Sequence, residues 1–426
     1  MEGKVYGKVD IKVYAKTIDD KAREQLAAIS NHPAFQKAKI RIMPDVHAGA
    51  GCVIGFTARN YDKVIPNLIG VDIGCGVRVW EMGKIDLDLK ALDEFIKSDI
   101  PCGLGGIRPE DQRGVDEEWL EDNLVCYRYL RNIDAICRGI GSLGGGNHFI
   151  EVDEDDEGNK YLVVHTGSRN LGSQVANHYQ SLAVKRLKGD AKKASVQETI
   201  ERMKAEGRQS EIQATLAEIF KEAKASDLPD DLCYLEGFDA KDYLHDVGVC
   251  TRYANYNRVF IISRIRSFLL KTLPLQEVAK IKYDQWESIH NYIAEDGTIR
   301  KGAISAKAGK KVIIPLNMRD GSIIGIGKGN PDWNESAPHG AGRLMSRAEA
   351  RRSLTVEDFH KAMEGIYTST ADESTIDEAP MAYKDASDIL SVVGDAVEVS
   401  KVIRPIYNFK APEGEKPWAK EKEEAK

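Results

Sequence analysis

The 426-residue sequence predicts an α+β protein folded as one large interwoven domain. Three observations predict this class. Short β-like runs broken by glycines fill 40–82 and 286–330. Residues 171–271 instead carry apolar positions at helical spacing. The residues able to do chemistry come from both ends of the chain, and no repeat, low-complexity stretch or Pro/Ser-rich hinge separates two halves.

Along the chain, Val5 to Tyr14 alternates as a strand, and Asp19 to Ser30 places Ala22, Leu26, Ala27 and Ile29 as a helix would. A helical stretch covers about Asp116 to Cys137. Five glycines then fall within the eight residues Gly139 to Gly146. Strands near His148–Val152 and Tyr161–His165 flank the acidic turn Asp153 to Asn159. Within the helical 171–271 region, Lys185 to Lys224 is highly charged and reads as an exposed helical hairpin, a charged insertion spanning about 185–228. Thr355-Val-Glu-Asp358 resembles a capping box with Asp in place of Glu. The domain is expected to span 1–415, and 416–426 to form a charged tail.

Composition narrows the function classes. Hydrophobic residues make up 42 % and charged residues 30 %, as in soluble globular proteins. No apolar run approaches a membrane span, and the N-terminus lacks an apolar leader core, so a cytoplasmic protein is expected. The seven cysteines form no C-x-x-C pair, which favours a metal or catalytic role for one or two over a disulfide framework. A net charge of −7 opposes general polyanion binding but not a local basic groove. Arg300, Lys301, Lys307, Lys310 and Lys311 form one acid-free run, and Arg343, Arg347, Arg351 and Arg352 follow with only Glu349 among them.

Five of the nine histidines (His47, His148, His165, His290 and His339) lie in glycine-rich or strand-end contexts, where backbone and ligand approach closely. Gly70-Val-Asp-Ile-Gly-Cys-Gly76 sets Asp72 and Cys75 three residues apart, able to share or bridge metal ions if distant histidines complete the shell; a tight turn with a buried cysteine is the competing reading. Gly144 to Glu151 supplies His148 between Asn147 and Glu151. If the next two strands pair as a hairpin, His165 joins His148, with Arg169 near enough to hold a phosphate. In Ser336-Ala-Pro-His-Gly-Ala-Gly-Arg-Leu-Met-Ser-Arg347, His339 is accessible beside Gly-Ala-Gly, and Arg343 and Arg347 would share a face if a helix starts there. A neutral imidazole can attack phosphorus and form a phosphoramidate. No P-loop is present, and no lysine sits in a K-x-[DN]-G setting, so histidine is the better candidate for covalent nucleotide activation.

These motifs, together with Met43-Pro-Asp-Val-His47, the Tyr253–Arg258 segment and His290-Asn-Tyr, strongly resemble the RtcB-type RNA-splicing ligases, in that family's order. The resemblance implies mixed β-sheets around a dinuclear metal site with flanking helices. It implies a GTP-dependent ligase joining a 3′-phosphate or 2′,3′-cyclic phosphate RNA end to a 5′-hydroxyl end, in tRNA splicing or RNA repair. By resemblance, His339 becomes guanylylated. Two manganese ions would be held by Asp72, Cys75, His148, His165 and His290, with Cys75 bridging, Asp72 and His290 on one ion and His148 and His165 on the other. Guanosine contacts would come from Asn147, Glu151, Asn317, Ser322, Ala341, Gly342, Tyr383 and Lys410, and phosphate or RNA contacts from Arg169, Arg343 and Arg347. Softness alone would nominate zinc for a Cys/His set, so manganese comes from the family. The family also leans towards a monomer and leaves room for an activating protein partner.

The sequence departs from the family pattern in two places. Asn317 stands where a serine is usual, and Ala337 and Pro338 precede His339 where small polar residues or cysteine are common, suggesting a divergent subgroup. The rival functions are a metal-dependent phosphoesterase, an enzyme that caps 3′-phosphates with GMP and stops, and a non-catalytic RNA-binding protein.

Overall fold

A computed structural model describes residues 9–103, 105–190, 200, 203–204, 212–213 and 228–412. Three sheets and their flanking helices form one α+β body, as expected. The largest sheet has seven antiparallel strands, running edge to edge as Lys311–Asn317, Gly321–Gly327, Val397–Lys410, Phe149–Glu154, Lys160–Thr166, Gly76–Gly83 and Gln285–Ile289. A five-stranded sheet runs Asp10–Val13, Lys39–His47, Ile54–Arg59, Ile299–Lys301 and Asn291–Ile293, with only its first pair parallel. Ala303–Ser305 pairs with Ser336–Pro338 between them.

The strand register positions the site. Successive side chains of a strand point to opposite faces. In the large sheet Ile150, Val152, Leu162 and Val164 face a core shared with Ile261, Ile262 and Ile265 of the long helix Gly237–Thr272. The other face carries Phe149, opposite both His165 and Lys410, and in the next row Glu151, opposite Val163 and Asn408. Polar groups from distant segments therefore line up on one face, while the alternate positions supply the apolar burial that holds the sheet. Truncating one of those buried aliphatic side chains to alanine would cost about 2–5 kcal/mol.

Local chemistry explains most element boundaries. Asp19 accepts a hydrogen bond from Ala22 N and caps Asp20–Ser30. The expected helix over 116–137 is broken into Glu117–Asn123 and Ile133–Cys137. The break falls near Asn132, whose left-handed φ of 53° a continuous helix cannot contain. Thr355 caps Val356–Ala362 through Asp358 N, but the Asp358 carboxylate takes the Thr355 hydroxyl instead of a backbone N–H, so the box is half formed. Most of the expected hairpin over 185–224, and the tail, lie outside the described residues; Lys185–Asp190 continues Arg169–Val184 as a π-helical turn. Among the described residues no helix is long and apolar enough to cross a membrane.

Candidate active site

The Phe149–Glu154 and Lys160–Thr166 strands do form a hairpin, and its register brings His148 to His165. Cys75 Sγ lies 3.4 Å from His148 Nε2 and 3.2 Å from His165 Nε2, and all three residues are buried. Such spacings approach the ~3.5 Å between sulfur and nitrogen ligands of one tetrahedral ion. His148 Nε2 also lies 2.9 Å from Asp72 Oδ2, and His165 Nε2 lies 3.3 Å from His290 Nε2. Cys75, His148 and His165 thus form one buried group whose ligand atoms all lie within 4.8 Å of one another, with Asp72 beside His148 and His290 beside His165.

Electrostatics suit a metal. Burial drives His165 and His290 well below the ordinary histidine range, so their imidazoles are neutral and present lone pairs. His165 Nδ1 donates to Asn147 O at 3.0 Å, which directs its Nε2 to the cluster. The cradle is tight: a Cβ at Gly144 would lie 1.8 Å from His148 Nδ1. The long helix pins the surrounding loops. Arg258 Nη1 donates to Gly74 O and Thr166 O at 2.9 and 2.8 Å, each next to a candidate ligand. Asn257 Nδ2 donates to Ser142 O and Gly167 O, both at 3.1 Å.

His339 stands at the rim of this cluster, its ring centroid 4.8 Å from that of His290. Its Nδ1 donates to Asp45 Oδ2 at 2.6 Å, and its backbone N donates to the same oxygen at 3.1 Å. Asp45 is fully buried. This arrangement leaves Nε2 as the ring nitrogen with a lone pair. Gly342, at φ 77°, lets the loop lie on Asp45, whose carbonyl oxygen a Cβ there would approach to 2.4 Å.

His165 and His339 both line a cavity of about 710 Å³, a volume suited to a nucleotide-sized ligand. Asn147, Glu151, Asn317, Ala341, Gly342, Tyr383 and Lys410 line it too, as do Arg343 and Arg347. Two expectations are not met in the expected form. Ser322 is fully buried in its strand opposite Pro315 and is absent from the cavity wall. Asn317 reaches the cavity, but its amide closes its own turn, with Nδ2 donating to Asp320 and Oδ1 accepting from Arg319 N and Asp320 N.

The basic residues are also placed differently. Arg343 precedes the helix, which starts at Arg347 behind the Ser346 cap; the two converge on the Glu378 carboxylate instead of sharing a helical face. Arg169 sits at the Asp72 end of the cluster, donating to Ser142 Oγ and Gly103 O, and does not line the cavity. Arg300 and Lys301 are buried, with Lys301 Nζ donating to Ala50 O and Asn67 O, so two of the five cations of the acid-free run are internal clamps and not groove.

Asp45 and Glu378 were assigned no role from sequence, and His47 was singled out only as one of the five histidines in glycine-rich or strand-end contexts. His47 lines the cavity and is held neutral, its pKa driven down to about 4 by burial.

Behind Glu151 lies Asp153, fully buried, with no N–H or O–H donor on either oxygen and the Glu151 carboxylate beside it. Burial, then Glu151, raises Asp153 well above the carboxylate range. The native protein therefore keeps a proton that the unfolded chain releases near pH 4, and this site costs stability as pH rises above that value. Asp153→Asn is expected to raise the melting temperature at pH 8 more than at pH 4, as thermal melts across that range will check.

A family model described as tRNA-splicing ligase RtcB matches residues 25–130 and 129–411. The RNA-splicing ligase RtcB of Escherichia coli K12 is 30 % identical over 435 residues, covering 94 % of this chain and 97 % of that protein. The tRNA-splicing ligase RtcB of Aeropyrum pernix is 27 % identical over 477 residues, covering 92 % of each chain. That of Archaeoglobus fulgidus is 28 % identical over 469 residues, covering 91 % and 89 %.

Proposed function

Since the chain belongs to the RtcB family of RNA-splicing ligases, we propose that it joins RNA ends bearing a 3′-phosphate, or a 2′,3′-cyclic phosphate first opened to one, to 5′-hydroxyl ends at the expense of GTP. The observation that carries this reading is His339, fixed through Nδ1 by Asp45 at the edge of a nucleotide-sized cavity beside the Cys/His cluster.

The steps that the family resemblance implies are compatible with that geometry. His339 Nε2 attacks the α-phosphorus of GTP; a P–N bond forms, and the bond to pyrophosphate breaks. Asp45 stabilises the charge that the ring acquires. The RNA 3′-phosphate then takes the guanylyl group from His339, forming a phosphoanhydride. Finally the 5′-hydroxyl attacks the 3′-phosphorus, a phosphodiester forms, and GMP departs. Glu151 offers an acceptor to the base, the Tyr383 ring lines the same cavity, and Lys410, Arg343 and Arg347 offer positive charge to phosphates.

Asp72, Cys75, His148, His165 and His290 would hold the two manganese ions, His148 and His165 on one and Asp72 and His290 on the other as the family resemblance implies. Bound there, the ions would neutralise the triphosphate and favour attack at its α-phosphorus. Among the rivals, a phosphoesterase with water as its only nucleophile would need neither a covalent His339 nor a guanine pocket.

The test is incubation with α-³²P-GTP and manganese, followed by denaturation. Acid-labile, alkali-stable label on the protein is expected. Its absence from folded, manganese-loaded protein would remove the ligase reading.

A further inference from the structure

The arginines and lysine offered to the nucleotide are not free in space. The Glu378 side chain is only 2 % exposed, and four cavity-lining residues converge on it. Arg343 Nη1 lies 3.1 Å and Arg347 Nη1 2.6 Å from Oε1; Lys410 Nζ lies 3.1 Å from Oε2, to which the Tyr383 hydroxyl also donates. Asp377 adds a second tether. Its Oδ2 takes Arg347 at 2.7 Å, its Oδ1 takes Arg351 at 2.7 Å, and its carbonyl oxygen accepts from Arg343 Nη2 at 2.6 Å. Glu378 itself does not line the cavity. Burial works against its ionisation, but Lys410, Arg347 and Arg343 hold it at about 2.

Three cations packed round one cavity repel each other, and their long side chains have many rotamers. A buried carboxylate common to all three removes both problems. It also leaves a net positive wall, because the four cations Arg343, Arg347, Arg351 and Lys410 meet the two carboxylates of Glu378 and Asp377.

We propose that Glu378 is a positioning residue for guanylyl transfer: it touches no substrate, and sets Arg343, Arg347, Lys410 and Tyr383 where the nucleotide needs them. This rests on the guanylyl-transfer reading above. The consequence is a split between binding and rate. Glu378→Gln removes negative charge, so attraction for a polyphosphate persists. The cations lose their common anchor, and a small misplacement of such groups costs about ten- to a hundredfold in rate.

The experiment uses the full chain with manganese and measures label on His339 over time at increasing GTP, with melting temperature and bound manganese recorded in parallel. Expected for Glu378→Gln is a GTP affinity within about twofold of the original and a maximal rate lowered about tenfold or more. Glu378→Asp, which keeps the charge, should recover part of that rate. An unchanged maximal rate, or a rise in apparent Kd alone, would overturn the proposal. A fall in rate matched by lost manganese or a lower melting temperature in both variants would also overturn it, marking a structural residue. Absence of label on the unaltered protein would overturn the guanylyl-transfer reading itself, a result distinct from each of these.

Discussion

Replacing His339 by alanine is expected to abolish guanylylation and end joining together, and Asp45→Asn to reduce guanylylation by about a thousandfold with His339 still present. The two effects have separate causes. Alanine removes the imidazole proposed to attack the α-phosphorus. Asparagine keeps the shape of Asp45 but alters its chemistry. One carboxylate oxygen now accepts from both His339 N and Nδ1, at 3.1 and 2.6 Å. An amide that turned its nitrogen to the ring would face Nδ1 as a donor, favour a proton on Nε2, and so cover the attacking lone pair. It would also supply no negative charge as the ring becomes cationic. Quantified label on each variant, against time, checks both. Asp45→Asn labelling at the unaltered rate would mean that tautomer control lies elsewhere.

Much of this site was legible before the fold was known, for a physical reason. Asp72, Cys75, His148, His165 and His290 are rare chemical types held in glycine contexts, and residues of that kind have few other uses. The hairpin that joins His148 to His165 could be read from alternation and an acidic turn, because its register is local. What stayed hidden depended on contacts far apart in sequence. Asp45 reaches His339 across 294 positions, and Lys410 reaches Glu378 across 32. Arg343 and Arg347 show the opposite error. Four-residue spacing suggested a shared helical face, but the helix begins at the second of them, and convergence comes from the carboxylate they share. Asn317 failed for local reasons: an asparagine at a hairpin end bonds to its own backbone more readily than to a ligand.

Removing Cys75 should have the broadest consequence at the cluster, because its sulfur alone lies near both groups of ligands. Sγ stands within 3.4 Å of His148 Nε2 and of His165 Nε2, while Asp72 and His290 complete the two sides. Cys75→Ala is therefore expected to lose both manganese ions, whereas His290→Ala loses chiefly the one it is expected to share with Asp72. With both ions gone, several kcal/mol of charge stabilisation at the triphosphate disappears, which is about a thousandfold or more in rate. Alanine leaves only a small void in a buried position, so the fold should persist and the melting temperature of the metal-free protein should hardly move. Protons add an independent check. Burial, and then the Asp72 charge, raise the Cys75 thiol well above its ordinary range, so the metal-free site carries a proton on sulfur at neutral pH. Binding must release that proton, and manganese affinity should climb as pH rises. Calorimetric titration with manganese in buffers of different ionisation enthalpy reads the proton count directly. Release of a proton by the unaltered protein and none by Cys75→Ala places the thiolate in the site. Equal manganese content in the two proteins would show that sulfur is not a ligand, and would leave the cluster to its histidines and Asp72.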